Sequence, residues 1–270
     1  MKRYNAYFFD LYGTLADIHT DESEPAFWRG VASWYAAHGA AWEAEPLRQA
    51  YLTLCAAEEA RLQAAAPQDA FVELDLTRVF AALYLQKGVT LTPGLMEETA
   101  WFFRRSSTSH LRVYAGAREL LLTLRSQGRE VILLSNAQAC FTRPELDALG
   151  LTDCFDRIFI SSEIGFKKPD PRFFGAALEA SGQDPADCLM IGNDPVCDVE
   201  GAIRAGMDAF YIHSNLSPRP RPELAALPVA GSLPRMDLRA LRRLLPDGSA
   251  DWSVRGSGTG GQTALPIRSE

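Results

Sequence analysis

Four short stretches place chemically complementary polar residues where apolar runs stop. FFD ends on Asp10, LLSN on Ser135 and Asn136, GFKKPDP carries Lys168, and MIGNDPVCD holds Asn193, Asp194 and Asp198. Singly, each has a structural explanation, since Asp and Ser-Asn cap turns and Asp194 before Pro195 suits a helix N-cap. Together they supply carboxylates, hydroxyl and amide donors, and a cation. Asp194 and Asp198 are four residues apart, so on one helix start they face the same way, and with Asp10 they would gather three carboxylates. Such a set is a hard oxygen site suited to Mg²⁺. The Ser135 hydroxyl and the backbone amides around Asn136 can donate to a substrate oxygen.

These residues need a scaffold that brings strand ends together. YNAYFF reads as a buried strand ending at Asp10. The stretch DIHTDESEP after it reads as a charged loop, and from Pro25 to about Arg105 four segments carry apolar residues at helical spacing, with Thr92-Pro93 reading as a helix start. After Tyr114 helices and strands alternate: AGARELLLTLRSQG, EVILLS, RPELDALG, RIFIS, DPRFFGAALEASG, DCLMIG, PVCDVEGAIRAG and DAFYIH. That rhythm predicts parallel crossovers and a doubly wound α/β sheet, with an all-helical block inserted after the first strand. In such sheets ligands bind beyond the carboxyl ends of the strands, where all four stretches fall. From Ser214 the chain is proline-rich, MDLRALRRLL reads as an amphipathic helix, and the Gly/Ser-rich residues 246–270 read as a mobile tail. The resulting division is a core of residues 1–18 and 108–245, a helical cap of 19–107, and the tail.

Composition narrows the partners. The 270 residues are 47% hydrophobic and 23% charged, an ordinary globular balance, and a formal net charge of −7 argues against nucleic acid or an anionic membrane face. A small anionic substrate remains compatible, because a local cation can override the global sign. The five cysteines form no CxxC pair and no zinc spacing, so they read as free thiols of a reducing compartment. The apolar run before Asp10 is too short for a signal peptide or a membrane span, which places the protein in the cytoplasm.

FFDLYGTL, VILLSN, GFKKPDPRFF and MIGNDPVCDVEGA resemble the four motifs of the haloacid dehalogenase superfamily of hydrolases, over roughly residues 4–212. The resemblance implies a Rossmann-like core with a mobile helical cap, and a nucleophilic role for Asp10 through a covalent aspartyl intermediate. Physical chemistry agrees, because a carboxylate attacking an anionic phosphoryl group needs charge relief. Lys168 resembles the family's fixed lysine, while Lys167 reads as its solvated neighbour. Asp10, Lys168 and Ser135 are thus the candidate catalytic residues, and Thr14, Ser135, Asn136 and Lys168 the candidate substrate contacts. Asp10, the Tyr12 backbone carbonyl, Asp194 and Asp198 are the candidate Mg²⁺ ligands. Asp194 is expected closer to the metal and Asp198 second or in the outer shell; if the register is anchored on DVEGA, Asn193 takes the first acid's place.

Tyr12 departs from the phosphatase pattern, whose members usually carry there an aspartate that protonates the leaving group. General acid catalysis is worth ~10²–10⁴-fold, so its loss restricts the leaving group unless Asp17, His19 or Glu22 replaces it. Tyrosine at this position resembles the dehalogenase branch, where a halide leaves without a proton. Against that branch stand Asp194, which suits a metal, and the lack of a clear halide-binding arginine, Arg29 being a conceivable one. The reading is a Mg²⁺-dependent phosphatase of a small phosphorylated metabolite. The alternatives are a metal-independent 2-haloacid dehalogenase and a catalytically quiet member that binds a phosphometabolite or a partner. The cap aromatics Trp28, Trp34, Trp101, Phe102 and Phe103 read as packing residues.

Overall fold

In the computed structural model, residues 2–220, 222–223 and 226–245 are described. Six strands, β1 (Ala6–Phe9), β4 (Glu130–Ser135), β5 (Arg157–Ile160), β6 (Cys188–Gly192), β7 (Asp208–Ile212) and β8 (Gly231–Leu233), form one parallel sheet in the order β5-β4-β1-β6-β7-β8. The central strands β1 and β6 are apolar and buried throughout because both faces of the sheet are covered there. Tyr7, Phe9, Val131, Leu133, Leu189 and Ile191 enter one buried cluster, and Ala6, Phe8, Ile132, Leu134, Cys188 and Met190 the opposite one. This two-residue alternation fixes the register, which pairs Phe9 with Leu133 on one side and Ile191 on the other. Asp10 therefore emerges at the centre of the carboxyl edge.

The helices α5 (Ala117–Ser126), α6 (Ala139–Ala148), α7 (Ser161–Ile164), α8 (Pro171–Ser181), α9 (Gly201–Arg204) and α10 (Leu238–Leu244) accompany this sheet. Leu238 and Leu241 of α10 pack into the same cluster as Leu120 and Leu124 of α5. The inserted helices α1 (Pro25–Ala37), α2 (Ala44–Ala65), α3 (Leu76–Leu85) and α4 (Leu95–Ser107) surround a separate cluster that includes Phe27, Trp28, Tyr35, Phe80 and Phe103. Trp34 stacks on Phe102 at 4.4 Å, so these aromatics do pack, whereas Trp101 lines an open groove of about 940 Å³.

Three local expectations are corrected. The stretch read as a charged loop begins as a strand, β2 (Ala16–Thr20), paired antiparallel with β3 (Thr108–Val113). Its charge is matched across the ladder, since Asp17 stands opposite Arg112 and accepts from it at 2.6 and 2.9 Å. The fourth inserted helix begins at Leu95 after Gly94, whose φ of 82° is left-handed, rather than at Thr92-Pro93. Strand β8 lies in the segment read only as proline-rich. The expected mobile tail, residues 246–270, lies outside the described residues.

Candidate active site

At the carboxyl edge a cavity of about 180 Å³ is lined by Asp10, Tyr12, Asn136, Lys168, Asn193, Asp194 and Asp198, among others. The buried Lys168 ammonium lies 2.8 Å from Asp10 Oδ1 and 2.7 Å from Asp198 Oδ1. Burial alone would push the Lys168 pKa down, but Asp10 and Asp198 together hold it above the ordinary lysine range. Burial pushes the Asp198 carboxyl up; Lys168 opposes this shift and Asp10 adds to it. One ammonium serves two carboxylates.

The neighbours of this trio hold it in place. Thr14 Oγ1 donates to Asp10 Oδ2 at 3.2 Å and lies 3.4 Å from Asn193 Oδ1, so it orients the candidate nucleophile. Asn136 accepts from Lys168 N at 2.7 Å and donates to Lys168 O at 2.9 Å, so its side chain fixes the lysine's backbone. Ser135 Oγ is buried and, among the described residues, has no hydrogen-bond partner. A buried hydroxyl in that state costs about 1–3 kcal/mol; neither Ser135 nor Thr14 lines the cavity itself. Two glycines permit the close approaches: a Cβ on Gly13, at φ +89°, would stand 2.3 Å from Asn193 Nδ2, and one on Gly192 2.1 Å from Asp198 Oδ2.

The three expected carboxylates, Asp10, Asp194 and Asp198, all line this cavity. Among the described residues no group of three or more His, Cys, Asp or Glu side chains is arranged to hold a metal ion. Asp198 has both oxygens engaged, Oδ1 by Lys168 and Oδ2 by the amides of Asn193 and Asp194 at 3.0 and 2.9 Å. Asp194 Oδ1 caps the π-helical turn Pro195–Glu200, accepting from Val196 N at 2.8 Å and Cys197 N at 2.9 Å. Asp194 still lines the cavity, as do Asp10 and Asn193. The carboxylates of Asp10, Asp194 and Asp198 and the amide of Asn193 line one small space, hard oxygen chemistry that fits Mg²⁺.

Tyr12 lines the cavity, but its hydroxyl is bonded to α6. Its hydroxyl donates to Glu145 Oε2 of α6 and lies 3.1 Å from Thr142 Oγ1, while Glu145 accepts from Arg104 Nε of α4 at 2.6 Å. Burial and then the Glu145 carboxylate push the phenol far above its usual range, so it stays protonated. None of the three replacement acids lines the cavity. Asp17 is buried and bound to Arg112 and Asn215, His19 is exposed and stacked on His110 at 6.0 Å, and Glu22 is half-buried beside Arg104. Arg29 is exposed on α1. Glu145 and Arg104 carried no signal in the sequence, being 41 residues apart in separate elements.

A sequence model of the haloacid dehalogenase-like hydrolases matches residues 4–206. Phosphoserine phosphatase of Thermus thermophilus is 38% identical over 117 residues, 43% of this chain and 46% of that protein. The chain thus spans about half the length of the curated relatives it matches. Among solved structures, a HAD phosphatase of Thermococcus onnurineus superposes with a TM-score of 0.56 at 20% identity, over 89% of this chain and 97% of that one. A dehalogenase superposes with a TM-score of 0.55 at 23% identity, over 91% and 98%. At such identities the superpositions speak for the fold, which both chemistries share. Among the described residues no helix is long and apolar enough to cross a membrane.

Proposed function

The chain belongs to the haloacid dehalogenase-like hydrolases, and on that premise we propose that it is a Mg²⁺-dependent phosphatase of a small phosphorylated metabolite, acting through Asp10. The observation that carries this reading is the buried Lys168 ammonium between Asp10 and Asp198 at the centre of the sheet edge. Residues 1–18 and 108–245 are taken as the catalytic core and 19–107 as its cap, in a reducing cytoplasm where the five thiols remain unpaired.

Asp10 attacks phosphorus, the P–O bond to the leaving group breaks, and a phosphoaspartate forms. Water then attacks phosphorus, releasing phosphate and returning the carboxylate. Lys168 lowers the repulsion between carboxylate and phosphoryl oxygens, and Thr14 keeps Asp10 oriented. Mg²⁺, held by Asp10, the Tyr12 carbonyl and Asp194 with Asn193 beside them, would supply further positive charge to the phosphoryl group. Asp198 acts through Lys168 instead of as a ligand. With Tyr12 bonded to Glu145, no side chain at this position donates a proton to the departing oxygen, and good leaving groups are favoured.

The same orientation of Tyr12 favours the second reading, a dehalogenase, since a halide needs no proton. Turnover of an aryl phosphate, an acyl phosphate and a 2-halo acid in ¹⁸O-water, each with Mg²⁺ or after chelation, separates the two. Phosphoryl chemistry puts the label in phosphate, because water attacks phosphorus; dehalogenation puts it in Asp10, because water attacks the ester carbonyl. The phosphatase reading expects Mg²⁺-dependent phosphate release that Asp10→Asn abolishes. Activity that survives chelation, or label retained in Asp10, overturns it.

A further inference from the structure

Residues 71–76 end the α2–α3 connection and open α3; Leu74 and Leu76 pack on the helical block, while the backbone runs along the loops of the sheet edge. Lys167 N donates to Phe71 O at 2.9 Å and Glu73 N to Gly165 O at 2.9 Å, on either side of an antiparallel bridge between Val72 and Phe166. Phe71 N donates to Asp170 Oδ2 at 2.8 Å. Leu76 N donates to Gln138 Oε1 at 2.9 Å, and Gln138 Nε2 donates to Leu74 O at 2.8 Å and Glu73 Oε1 at 3.2 Å. Ser161 Oγ donates to Glu73 Oε2 at 3.0 Å. The half-buried Glu73 carboxylate therefore ties together the loops after β4 and β5, and its backbone ties the loop that presents Lys168.

We propose that residues 71–76 are a strap that makes the helical block and the Lys168 loop one mechanical unit, with Glu73 as a positioning residue for Lys168. The strap is remote in sequence from the β2–β3 ribbon that carries the chain into and out of the block, so the block is fastened to the core at two separated places. Rotation about the ribbon alone would have to break the bridge at Val72 and Phe166, and that bridge abuts Lys168. Lys168 depends on the position of its loop because its backbone is held on the other side through Asn136, which bonds both its N–H and its C=O. Loosening the strap frees the ammonium from its fixed distance to Asp10, which weakens anion binding before it affects the sheet. The functional consequence rests on the phosphatase reading; the mechanical one does not.

The test is amide hydrogen exchange by mass spectrometry on the full chain as wild type, Glu73→Ala and Glu73→Gln, with KM and kcat for an aryl phosphate measured on the same samples. In Glu73→Ala, peptides covering 70–76 and 163–170 are expected to exchange together at least about tenfold faster while those covering β1 and β6 are unchanged. KM is expected to rise several-fold more than kcat falls, and Glu73→Gln, which keeps an acceptor for Ser161, to restore most of both. Gln138→Ala gives the same readout should Glu73→Ala fail to fold. Unchanged exchange over 163–170, or uniform acceleration across the chain, overturns the strap. A wild type without phosphatase activity contradicts the functional reading and leaves the exchange result to decide the strap.

Discussion

Lys168 Nζ lies 2.7 Å from Asp198 Oδ1, and the other oxygen of Asp198 accepts from two backbone amides of its own loop. Asp198 is thereby anchored to the end of β6 and in turn anchors the lysine that faces Asp10. Removing the ammonium leaves two buried carboxylates facing one another, whereas removing the Asp198 charge leaves the Lys168–Asp10 pair intact. Lys168→Met should lower kcat/KM for an aryl phosphate by about 10²–10³-fold, and Asp198→Asn by clearly less. Equal losses in steady-state assays would mean that Asp198 touches the reacting group or a metal directly.

The Tyr12 hydroxyl is bonded away from the cavity, so Tyr12→Phe should leave kcat/KM for an aryl phosphate within about threefold, far below the value of a general acid. Its stability should fall by about 1 kcal/mol for the lost hydrogen bond. Without an acid, the rate across a series of aryl phosphates should fall steeply as the leaving phenol becomes more basic. A flat series would show that another group supplies the proton.

Glu145 and Arg104 join α6 to α4 through a pair at 2.6 Å whose side chains are 2% and 14% exposed. Glu145→Ala strands the guanidinium and the Tyr12 hydroxyl in a mostly apolar site, a cost of about 3–5 kcal/mol. At about 2–4 °C per kcal/mol for a chain of this size, thermal unfolding should shift down by roughly 10 °C. The double substitution Glu145→Leu with Arg104→Met should recover much of that loss, because breaking a buried pair costs more than replacing it. A Glu145→Ala protein that melts with the wild type would contradict the burial and pairing assigned here.

The strands that carry the candidate site were legible because β1, β4 and β6 are buried on both faces and read as apolar runs that stop at Asp10, Asn136 and Asn193. The ribbon was not legible: Asp17 looks like a solvated charge until Arg112, 95 residues later, is known to stand opposite it. Spacing placed Asp194 and Asp198 on one turn, but their division of labour follows from Lys168, which reaches Asp198 from another loop. Glu73, Gln138, Arg104 and Glu145 are ordinary polar residues in local context. Their partners are set by how the helical block seats on the sheet, which no local pattern encodes.

Asp17 links pH to the stability of that ribbon. Burial pushes its carboxyl up, but hydrogen bonds from Asn215, Arg112 and His110 outweigh this and hold it below the ordinary carboxylate range. A depressed folded-state value stabilises above the unfolded pKa of about 3.9, and that stabilisation is lost as pH falls through the folded value. In urea titrations Asp17→Asn should be less stable than wild type by about 2 kcal/mol near neutrality, with the gap closing below about pH 4. A gap that persists unchanged in acid would show that the charge contributes nothing.

The most direct test of the central claim is an acid quench during turnover of an aryl phosphate with Mg²⁺, followed by peptide mass spectrometry. A phosphoryl group on the peptide carrying Asp10, absent from Asp10→Asn, is the predicted result. Phosphate release from the wild type with no phosphorylated Asp10 peptide, under a quench that preserves acyl phosphates, would contradict it.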